Sequence, residues 1–435
     1  MRRPLTAALA PALAAVLAIP LGLTAPAGAS AAPAAASVAP GESRAAARPI
    51  TYTQWDTVDE LGTGTPAGTR VTTAGRLALA PGAPVAQRRY GGTTYDVGRW
   101  SSPWVSPGFG LTELVSSWSA TTPRNSRIEV EVRGRSAAGS TSSWDSLGRW
   151  ASGDRFVRRT SVAGQSDDLA DVAVDTWRAR DAAGLTSWQL RVSLMRRTGA
   201  SSASPTVDTI GAMASRLPTV SSVTTSRPGR AARGVVLDVP RMSQMVHDGD
   251  YTEYGGGGEA WCSPTSTSMV LAYYDALPPA TASAWVPQGH VDPWVDQAAR
   301  ATYDTAYEGT GNWPFNTAYA APLAGHAFVT RLRSLREAEA FVVAGIPVVA
   351  SISFGPGELT GAPISSTNGH LVVVVGFTAS GDVVVNDPAA QRRAGVRRTY
   401  DRGQFENAWL PRSGGLAYVI TDDAHPLPGG TPTNW

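Results

Sequence analysis

Two regions of the chain differ in the period of their hydrophobic and polar positions. Between about Ile50 and Met213, apolar and polar residues alternate with a period of two, most clearly at residues 128–132 and 188–194. This period is typical of half-buried antiparallel strands. The connecting segments are rich in glycine, serine, proline and aspartate, and no strongly amphipathic helix stands out. We therefore predict an all-β sandwich, jelly-roll-like in character, over residues 49–216.

A second pattern, in which helices and strands are mixed, begins at about Gly234. Apolar spacing and β-branched runs predict helices at residues 264–274 and 335–344 and strands at residues 234–239, 348–352, 371–377 and 383–385. Between the two patterns, residues 217–233 have the serine, threonine, proline and glycine content typical of a linker. We predict an α+β domain over residues 234–424 and a flexible tail, rich in proline and glycine, at residues 425–435.

The first residues have the features of an export signal. Two arginines in residues 1–3 precede an apolar run that ends near Leu23, and the small-x-small pattern Ala-Gly-Ala follows at residues 27–29. We therefore expect a signal peptide over residues 1–29 and export of the mature chain. The Ala/Pro-rich stretch at residues 30–48 is expected to be a disordered leader. No later apolar run is long enough for a membrane span.

Composition narrows the classes of partner and source. The formal net charge is only +2 over 435 residues, which gives no electrostatic reason to expect a nucleic-acid partner. Every basic residue other than histidine is arginine, a bias that favours a bacterium with a GC-rich genome. We therefore expect a secreted bacterial protein.

The chain contains one cysteine, Cys262, which cannot form an intramolecular disulfide. One explanation is a buried thiol acting as a small hydrophobic residue. Its neighbours favour catalysis instead, because the glycine run 255–258 precedes it and Pro264 fits the first turn of the helix that follows. The amide groups and dipole at a helix N-terminus favour the thiolate, which is the nucleophilic form.

A thiolate needs a base, and among the five histidines only His370 opens a strongly apolar strand. Such a strand holds an imidazole rigidly at a sheet edge. Asp387 follows at the end of the next strand, where its carboxylate could orient the imidazole. Gln244 precedes Cys262 by eighteen positions and could donate to the oxyanion that forms during attack. The alternatives are a half-buried structural histidine, a turn aspartate and a surface glutamine.

Residues from about Val236 to Ile420 resemble the C39-like cysteine peptidase family of the papain-like fold. The resemblance rests on Gln244 and on three motifs, Trp-Cys-Ser-Pro-Thr-Ser at residues 261–266, Gly-His-Leu-Val-Val-Val-Val-Gly at residues 369–376 and Asn-Asp-Pro at residues 386–388. It implies a helix that carries the cysteine, packed on an antiparallel sheet that carries the histidine and the aspartate.

The resemblance also implies a role for each residue of the site. Cys262 is the nucleophile, His370 its base, Asp387 the residue that orients the base, and Gln244 the oxyanion donor. The best-known members of the family are fused to a membrane transporter and trim leader peptides after paired glycines. The present sequence has neither a transporter nor a membrane span, so that specificity is not expected here. The expected activity is hydrolysis of peptide bonds in a peptide or protein substrate.

Two further enzyme activities and one binding function remain open at this point. An amidase or an acyl transferase could use the same scaffold, the latter by giving the acyl group to an amine instead of water. A non-catalytic wall- or glycan-binding protein is supported by tryptophans of the first domain, since exposed aromatic rings can stack on sugars. The competing explanation is that these side chains form the sandwich core. They are Trp100, Trp104, Trp118, Trp144, Trp150 and Trp177.

We expect neither a cofactor nor a metal. His290 is followed by Asp292 and His326 stands alone, so neither has the clustered ligand spacing along the chain that marks a zinc site.

Overall fold

The structure of the chain is a computed structural model that describes residues 47–82, 86–430 and 432–435. The predicted signal peptide and all but the last two residues of the predicted leader lie outside these residues. Within them, no helix combines the length and the apolar character needed to cross a membrane.

The N-terminal half is β-rich, as its period of two predicts. Its elements are β1 (Ile50–Trp55), α1 (Val58–Gly62), β2 (Thr65–Ala67), β3 (Thr69–Val71), β4 (Leu77–Leu79), β5 (Ala86–Tyr90), β6 (Thr93–Ser101), β7 (Glu113–Thr121), β8 (Ser126–Arg135), β9 (Asp145–Trp150), β10 (Ala170–Ala173), β11 (Thr176–Ala179), β12 (Ser187–Arg197) and β13 (Thr206–Ser215). One sheet has the order β10-β11-β7-β13-β4-β3, with β1 also on β13. The other has the order β2-β6-β12-β8-β9, with β5 also on β6.

These two sheets enclose one hydrophobic core. Trp118 and Trp177 from the first sheet and Trp100, Trp150 and Trp188 from the second are all 2% exposed or less. Large aromatic side chains remove much apolar surface from water, so they dominate the stability of such a core. The two-sheet arrangement is that of the expected sandwich.

The C-terminal half mixes helices with a third sheet. Its elements are α2 (Cys262–Tyr273), α3 (Pro293–Thr302), α4 (Trp313–Ala324), β14 (His326–Arg331), α5 (Leu335–Val343), β15 (Val348–Phe354), β16 (Thr367–Phe377), β17 (Val383–Asn386), β18 (Arg397–Tyr400), α6 (Arg402–Trp409) and β19 (Leu416–Thr421). The sheet is antiparallel throughout its described strands and has the order β14-β19-β15-β16-β17-β18. The strand expected at residues 234–239 is reduced to a single bridge between Val236 and Gly376.

The segment between the two halves, residues 217–233, contains no helix or strand, but side chains of the C-terminal half bind it. The backbone N–H of Ser226 donates to the Glu406 carboxylate at 2.7 Å. The N–H of Gly229 donates to Glu339 at 2.9 Å. These carboxylates satisfy backbone groups that a segment without secondary structure would otherwise leave unpaired.

The C-terminal residues pack against the chain, in contrast to the expected flexible tail. Asn434 is fully buried, and its Nδ2 donates to the carbonyl of Arg331 at 2.8 Å. The Trp435 ring lies edge-on to Phe341, with centroids 4.8 Å apart. A tail rich in proline and glycine therefore becomes ordered through its last two side chains.

Candidate active site

Cys262 is the first residue of α2, and the loop before it sets its position. Gly255, Gly256 and Gly257 have φ of 80°, 103° and 121°, a region that glycine adopts without a steric penalty. Trp261 is fully buried, and its indole Nε1 donates to the Tyr254 carbonyl at 2.7 Å. The loop therefore anchors the residue before the thiol, while Cys262 itself stays half-buried.

The strand β16 carries His370, and α2 is bonded directly to that strand. The hydroxyl of Ser266, one turn into α2, donates to the carbonyl of Leu371 at 3.0 Å. His370 lies opposite Ile352 of β15 and is 3% exposed. This docking brings the Cys262 side chain close enough to the His370 ring to interact with it and to help raise the pKa of the imidazole.

The hairpin of β16 and β17 brings Asp387 to the other side of the imidazole. Its Oδ1 lies 2.8 Å from His370 Nε2, which leaves Nδ1 as the ring nitrogen available to the thiol. The Tyr400 hydroxyl donates to Oδ2 at 2.7 Å, and the Ala389 N–H donates to Oδ1 at 3.0 Å. The structure thus brings together three of the four predicted site residues and adds Tyr400, which sequence reasoning missed.

Burial and charge act in opposite directions on this pair. Burial by itself lowers the pKa of His370, but the Asp387 charge and hydrogen bond, with a smaller contribution from Cys262, raise that pKa to about 10. Burial likewise disfavours ionised Asp387, yet His370 and the hydrogen bonds from Tyr400 and Ala389 hold its pKa below its ordinary value. The pair is therefore stable as imidazolium and carboxylate.

Gln244, the fourth predicted residue, lies at the start of a short 3₁₀ turn, Gln244–His247, that contacts the loop before Cys262. It is 4% exposed. Its Nε2 donates to the carbonyl of Glu259, three residues before the thiol. One of the two N–H groups on Nε2 is used in this bond, so the other could still serve an oxyanion.

A cleft of about 610 Å³ opens at Cys262. One wall comes from the N-terminal half, at residues 173–176 between and within β10 and β11. Tyr307 and Trp313 line another part of it. The buried Asp175 accepts from the Trp313 N–H at 2.8 Å, and burial raises its pKa to about 7. The first domain thus forms part of the cleft that contains the thiol.

Four of the six tryptophans that could stack on sugars lie in the core, at 2% exposure or less: Trp100, Trp118, Trp150 and Trp177. The other two are half-buried beneath arginines. Arg135 lies over Trp104 at 3.8 Å, and Arg191 lies over Trp144 at 4.2 Å. The core explanation therefore holds for most of this set.

The folded chain places His290 in a cluster that its spacing along the sequence does not reveal. Asp292, the neighbour considered for His290, instead pairs with Arg393 at 2.7 Å. His290 forms one cluster with His247, Asp250 and Asp296, and this cluster could hold a metal ion. None of these three residues is adjacent to His290 in the sequence. The sequence gives no local signal for this cluster, because His247 lies nearest to Asp296 and His290 lies near both Asp250 and Asp296.

Comparisons with known proteins agree with the architecture and with the predicted resemblance. Residues 51–215 match the family model described as Peptidase C39 N-terminal domain. Residues 236–416 match the model described as Peptidase_C39 like family. A search of curated proteins found no significant match. The two family matches together cover most of the chain, and the protein is a member of the C39-like peptidase family that carries an additional N-terminal domain.

Proposed function

We propose that this chain is an exported bacterial cysteine peptidase of papain-like fold that hydrolyses peptide bonds with Cys262 as its nucleophile. The observation that carries the proposal is the position of the His370 ring, which Asp387 binds on one side and the Cys262 thiol reaches on the other. A buried imidazole held between a carboxylate and a thiol at a helix N-terminus is suited to accept and return a proton. The match to the peptidase family supports the same reaction class.

The first half of the proposed cycle forms a covalent intermediate. Because His370 is already protonated in its pair with Asp387, the thiol proton has passed to it before attack. Cys262 then attacks the substrate carbonyl carbon as the thiolate, so a C–S bond forms and the carbonyl electrons move to oxygen. The N–H of Cys262 and the second N–H of Gln244 donate to this oxyanion. As the C–N bond breaks, the His370 imidazolium gives its proton to the leaving amine.

The second half returns the enzyme to its starting state. His370, neutral after giving its proton to the amine, removes a proton from water as the hydroxide attacks the thioester carbon. The C–S bond then breaks, and the acid leaves with Cys262 as the thiolate beside the His370 imidazolium. Throughout both halves, Asp387 fixes the ring orientation, and Tyr400 fixes Asp387. The buried pair needs no solvent reorganisation when charge develops, which is the main advantage of a preorganised site.

The cleft favours an extended peptide as substrate, with the N-terminal domain as part of the binding site. Residues 173–176 of that domain face Cys262 across the cleft, together with Arg178. Aromatic surface is available from Tyr307, which is 49% exposed. This geometry supports a role for the first domain in substrate selection, in addition to any contact with the cell wall.

The decisive experiment compares three variants on a peptide library and on peptidoglycan, with products identified by mass spectrometry. Cys262→Ala and His370→Ala should each lower peptide hydrolysis by at least about 1,000-fold. The matched control is His326→Ala, whose side chain is half exposed and pairs only with exposed Asp423. It should retain full activity and the same product profile.

Three other outcomes have distinct meanings. Equal product profiles from the wild type and Cys262→Ala would rule out the catalytic assignment. Products in which an added amine replaces water would establish an acyl transferase on this scaffold. Since Cys262 is the one thiol of the chain, intact mass after brief iodoacetamide treatment reports its reactivity directly. An inert thiol together with no products would indicate a binding protein.

A further inference from the structure

Four side chains beside the active-site loop, one of them packed against Trp261, point their polar atoms at a common centre. They are His247, Asp250, His290 and Asp296, and one atom from each lies within 4.8 Å of all the others. His247 and Asp296 are fully buried, while the side chains of His290 and Asp250 are 22% and 37% exposed. The cluster is therefore closed on one side and reachable from solvent on the other.

The polar atoms of these four side chains lie close together, yet no hydrogen bond joins them. His247 Nδ1 lies 3.3 Å from Asp296 Oδ1, and His290 Nε2 lies 3.4 Å from Asp296 Oδ2. Despite these short separations, both ring nitrogens of His247 and both carboxylate oxygens of Asp296 have no hydrogen-bond partner within the described residues. Leaving such groups buried and unpaired costs about 1–3 kcal/mol each, so native proteins rarely tolerate several together.

A metal ion at the centre would satisfy all of these groups at once. Two imidazoles and two carboxylates form a nitrogen and oxygen donor set suited to Zn²⁺ and related divalent ions. Ligands about 2.1 Å from a tetrahedral centre lie roughly 3.4 Å from one another. The separation of 3.3 Å between His290 Nε2 and Asp250 Oδ2 has the same size. Three separations in the cluster therefore match those between ligands of one ion, and the four ligand atoms all lie within 4.8 Å of one another.

We propose that His247, Asp250, His290 and Asp296 bind a divalent transition-metal ion, with zinc as the favoured ion, in a structural site. Four protein ligands complete a tetrahedral sphere and leave no position for substrate or water, which distinguishes a structural from a catalytic zinc site. The partial exposure of Asp250 and His290 provides the entry path.

The placement of the site explains what the ion would stabilise. His247 ends the 3₁₀ turn that Gln244 begins, and Asp296 lies in the first turn of α3. The His247 ring also packs against Trp261, with centroids 6.0 Å apart. The ion would therefore fasten the segment that carries the oxyanion donor, and the residue before the nucleophile, to a helix of the domain core.

The experiment measures metal binding in a Cys262→Ala background, because a thiol paired with an imidazole can itself bind zinc. The untagged chain is stripped with EDTA, loaded with ZnCl₂ or CoCl₂ and desalted, and its metal content is measured by mass spectrometry. We expect about one zinc per chain, and visible absorption of the cobalt form typical of tetrahedral coordination. Zinc should also raise the Tm of the stripped chain.

Two variants and one control assign the binding to the cluster. Asp250→Asn removes a partly exposed ligand with little change in packing, and Asp296→Asn removes a buried one. Each should weaken zinc binding at least about 10–100-fold, since even partners of metal ligands have effects of that size. His425→Ala breaks a histidine–aspartate pair elsewhere, His425 with Asp422 at 2.7 Å, and should bind zinc like its parent.

Two results would overturn the proposal. One is less than stoichiometric zinc and cobalt in the stripped and reloaded chain, with a Tm that is the same in EDTA and in zinc. The other is unchanged zinc binding in both Asp250→Asn and Asp296→Asn. Because the measurement is made without the thiol, neither result bears on whether Cys262 is a nucleophile.

Discussion

The ion pair of His370 and Asp387 makes stability depend on pH in a defined window. The raised pKa of His370 adds stability that is full below its ordinary pKa of 6.5 and lost as pH rises through about 10. The lowered pKa of Asp387 adds stability that is present above its ordinary pKa of 3.8 and lost in acid. Together they stabilise the fold most between about pH 4 and 6.5.

Asp387→Asn should therefore cost more stability at pH 5.5 than at pH 9.5, as measured by urea unfolding at both values. The same substitution removes the charge that holds His370 protonated and oriented, so we expect peptide hydrolysis to fall by roughly 10²–10⁴-fold. The control is Asp423→Asn, at an exposed pair, which should change neither quantity. A stability deficit in Asp387→Asn that is equal at both pH values would contradict the assigned pair.

The contribution of Asp175, in the cleft wall, to stability should depend on pH in the direction opposite to that of Asp387. Burial raises its pKa to about 7, so its contribution to stability is full below its ordinary pKa of 3.8 and is lost as pH rises through about 7. At about 1.36 kcal/mol per pKa unit, ionisation of this group costs on the order of 4 kcal/mol. An amide in its place can still accept from the Trp313 N–H but cannot ionise.

We therefore expect Asp175→Asn to be more stable than the wild type at pH 8.5 and close to it at pH 4.5. Chemical denaturation across this range measures the difference, with the exposed Asp167→Asn as control. If Asp175→Asn is less stable than the wild type at pH 8.5, by as much as at pH 4.5 or more, then burial does not raise the pKa of Asp175.

At the scale of residues, the sequence indicates some side chains of the site and not others. Cys262 could be identified because it is the one cysteine and precedes a helix signal, and His370 because it opens an apolar strand. Tyr400 carries no such signal, since it reaches Asp387 only through the pairing of β17 with β18. The candidate metal cluster carries no local signal either, since residues 247–250 and residues 290–296 meet only in the folded chain.

At the scale of elements, the loop before α2 depends on a close approach of two backbones. A Cβ added to Gly258 would lie 2.1 Å from the His247 carbonyl oxygen, so one of the two segments would have to move. Both segments lead into the candidate site, one to Cys262 and the other from Gln244. A substitution at Gly258 therefore tests whether this loop holds Cys262 in position.

Gly258→Ala should lower the free energy of unfolding by about 1–3 kcal/mol, as overpacking generally does. It should also lower peptide hydrolysis per folded molecule, because the shift reaches the thiol and the oxyanion donor. Steady-state kinetics and urea unfolding measure the two effects. Gly153→Ala, where an added Cβ meets nothing within 4 Å, is the matched control. Wild-type activity in folded Gly258→Ala would show that the loop does not position Cys262.

The sequence predicts the helices and strands that have a clear end signal or a clear hydrophobic period. The helices α2 and α5 and the hairpin of β16 and β17 lie within a few residues of their predicted bounds. In contrast, α4 was not predicted, because it is buried on nearly all sides and contains Pro322, so no apolar stripe separates it from its neighbours. A helix enclosed between two halves of a molecule has no polar face to reveal its period.

At the scale of the whole molecule, the two halves share buried side chains. Phe315 of α4 lies in the core of the N-terminal sheets, with ring centroids 6.1 Å from Trp118 and 5.5 Å from Trp150. Arg159 of the first half is 3% exposed and donates to the carbonyl of Arg300 in α3 at 2.6 Å. The sequence suggested two domains joined by a linker, and it could not reveal this contact, because long-range packing leaves no local pattern.

Because the cores are shared, we expect the described chain to unfold in one cooperative transition, which Phe315→Ala should shift as a whole. Truncating a buried phenylalanine typically costs about 3–5 kcal/mol. The unfolding midpoint measured by tryptophan fluorescence should therefore move to lower urea together with the midpoint measured by far-UV circular dichroism, which also reports the helices of the C-terminal half. Phe156→Ala, at a ring that is 51% exposed, should leave both midpoints in place. If two separate transitions appear and Phe315→Ala shifts only the fluorescence midpoint, the two halves unfold independently. The cleft wall formed by residues 173–176 would then be able to move away from the thiol.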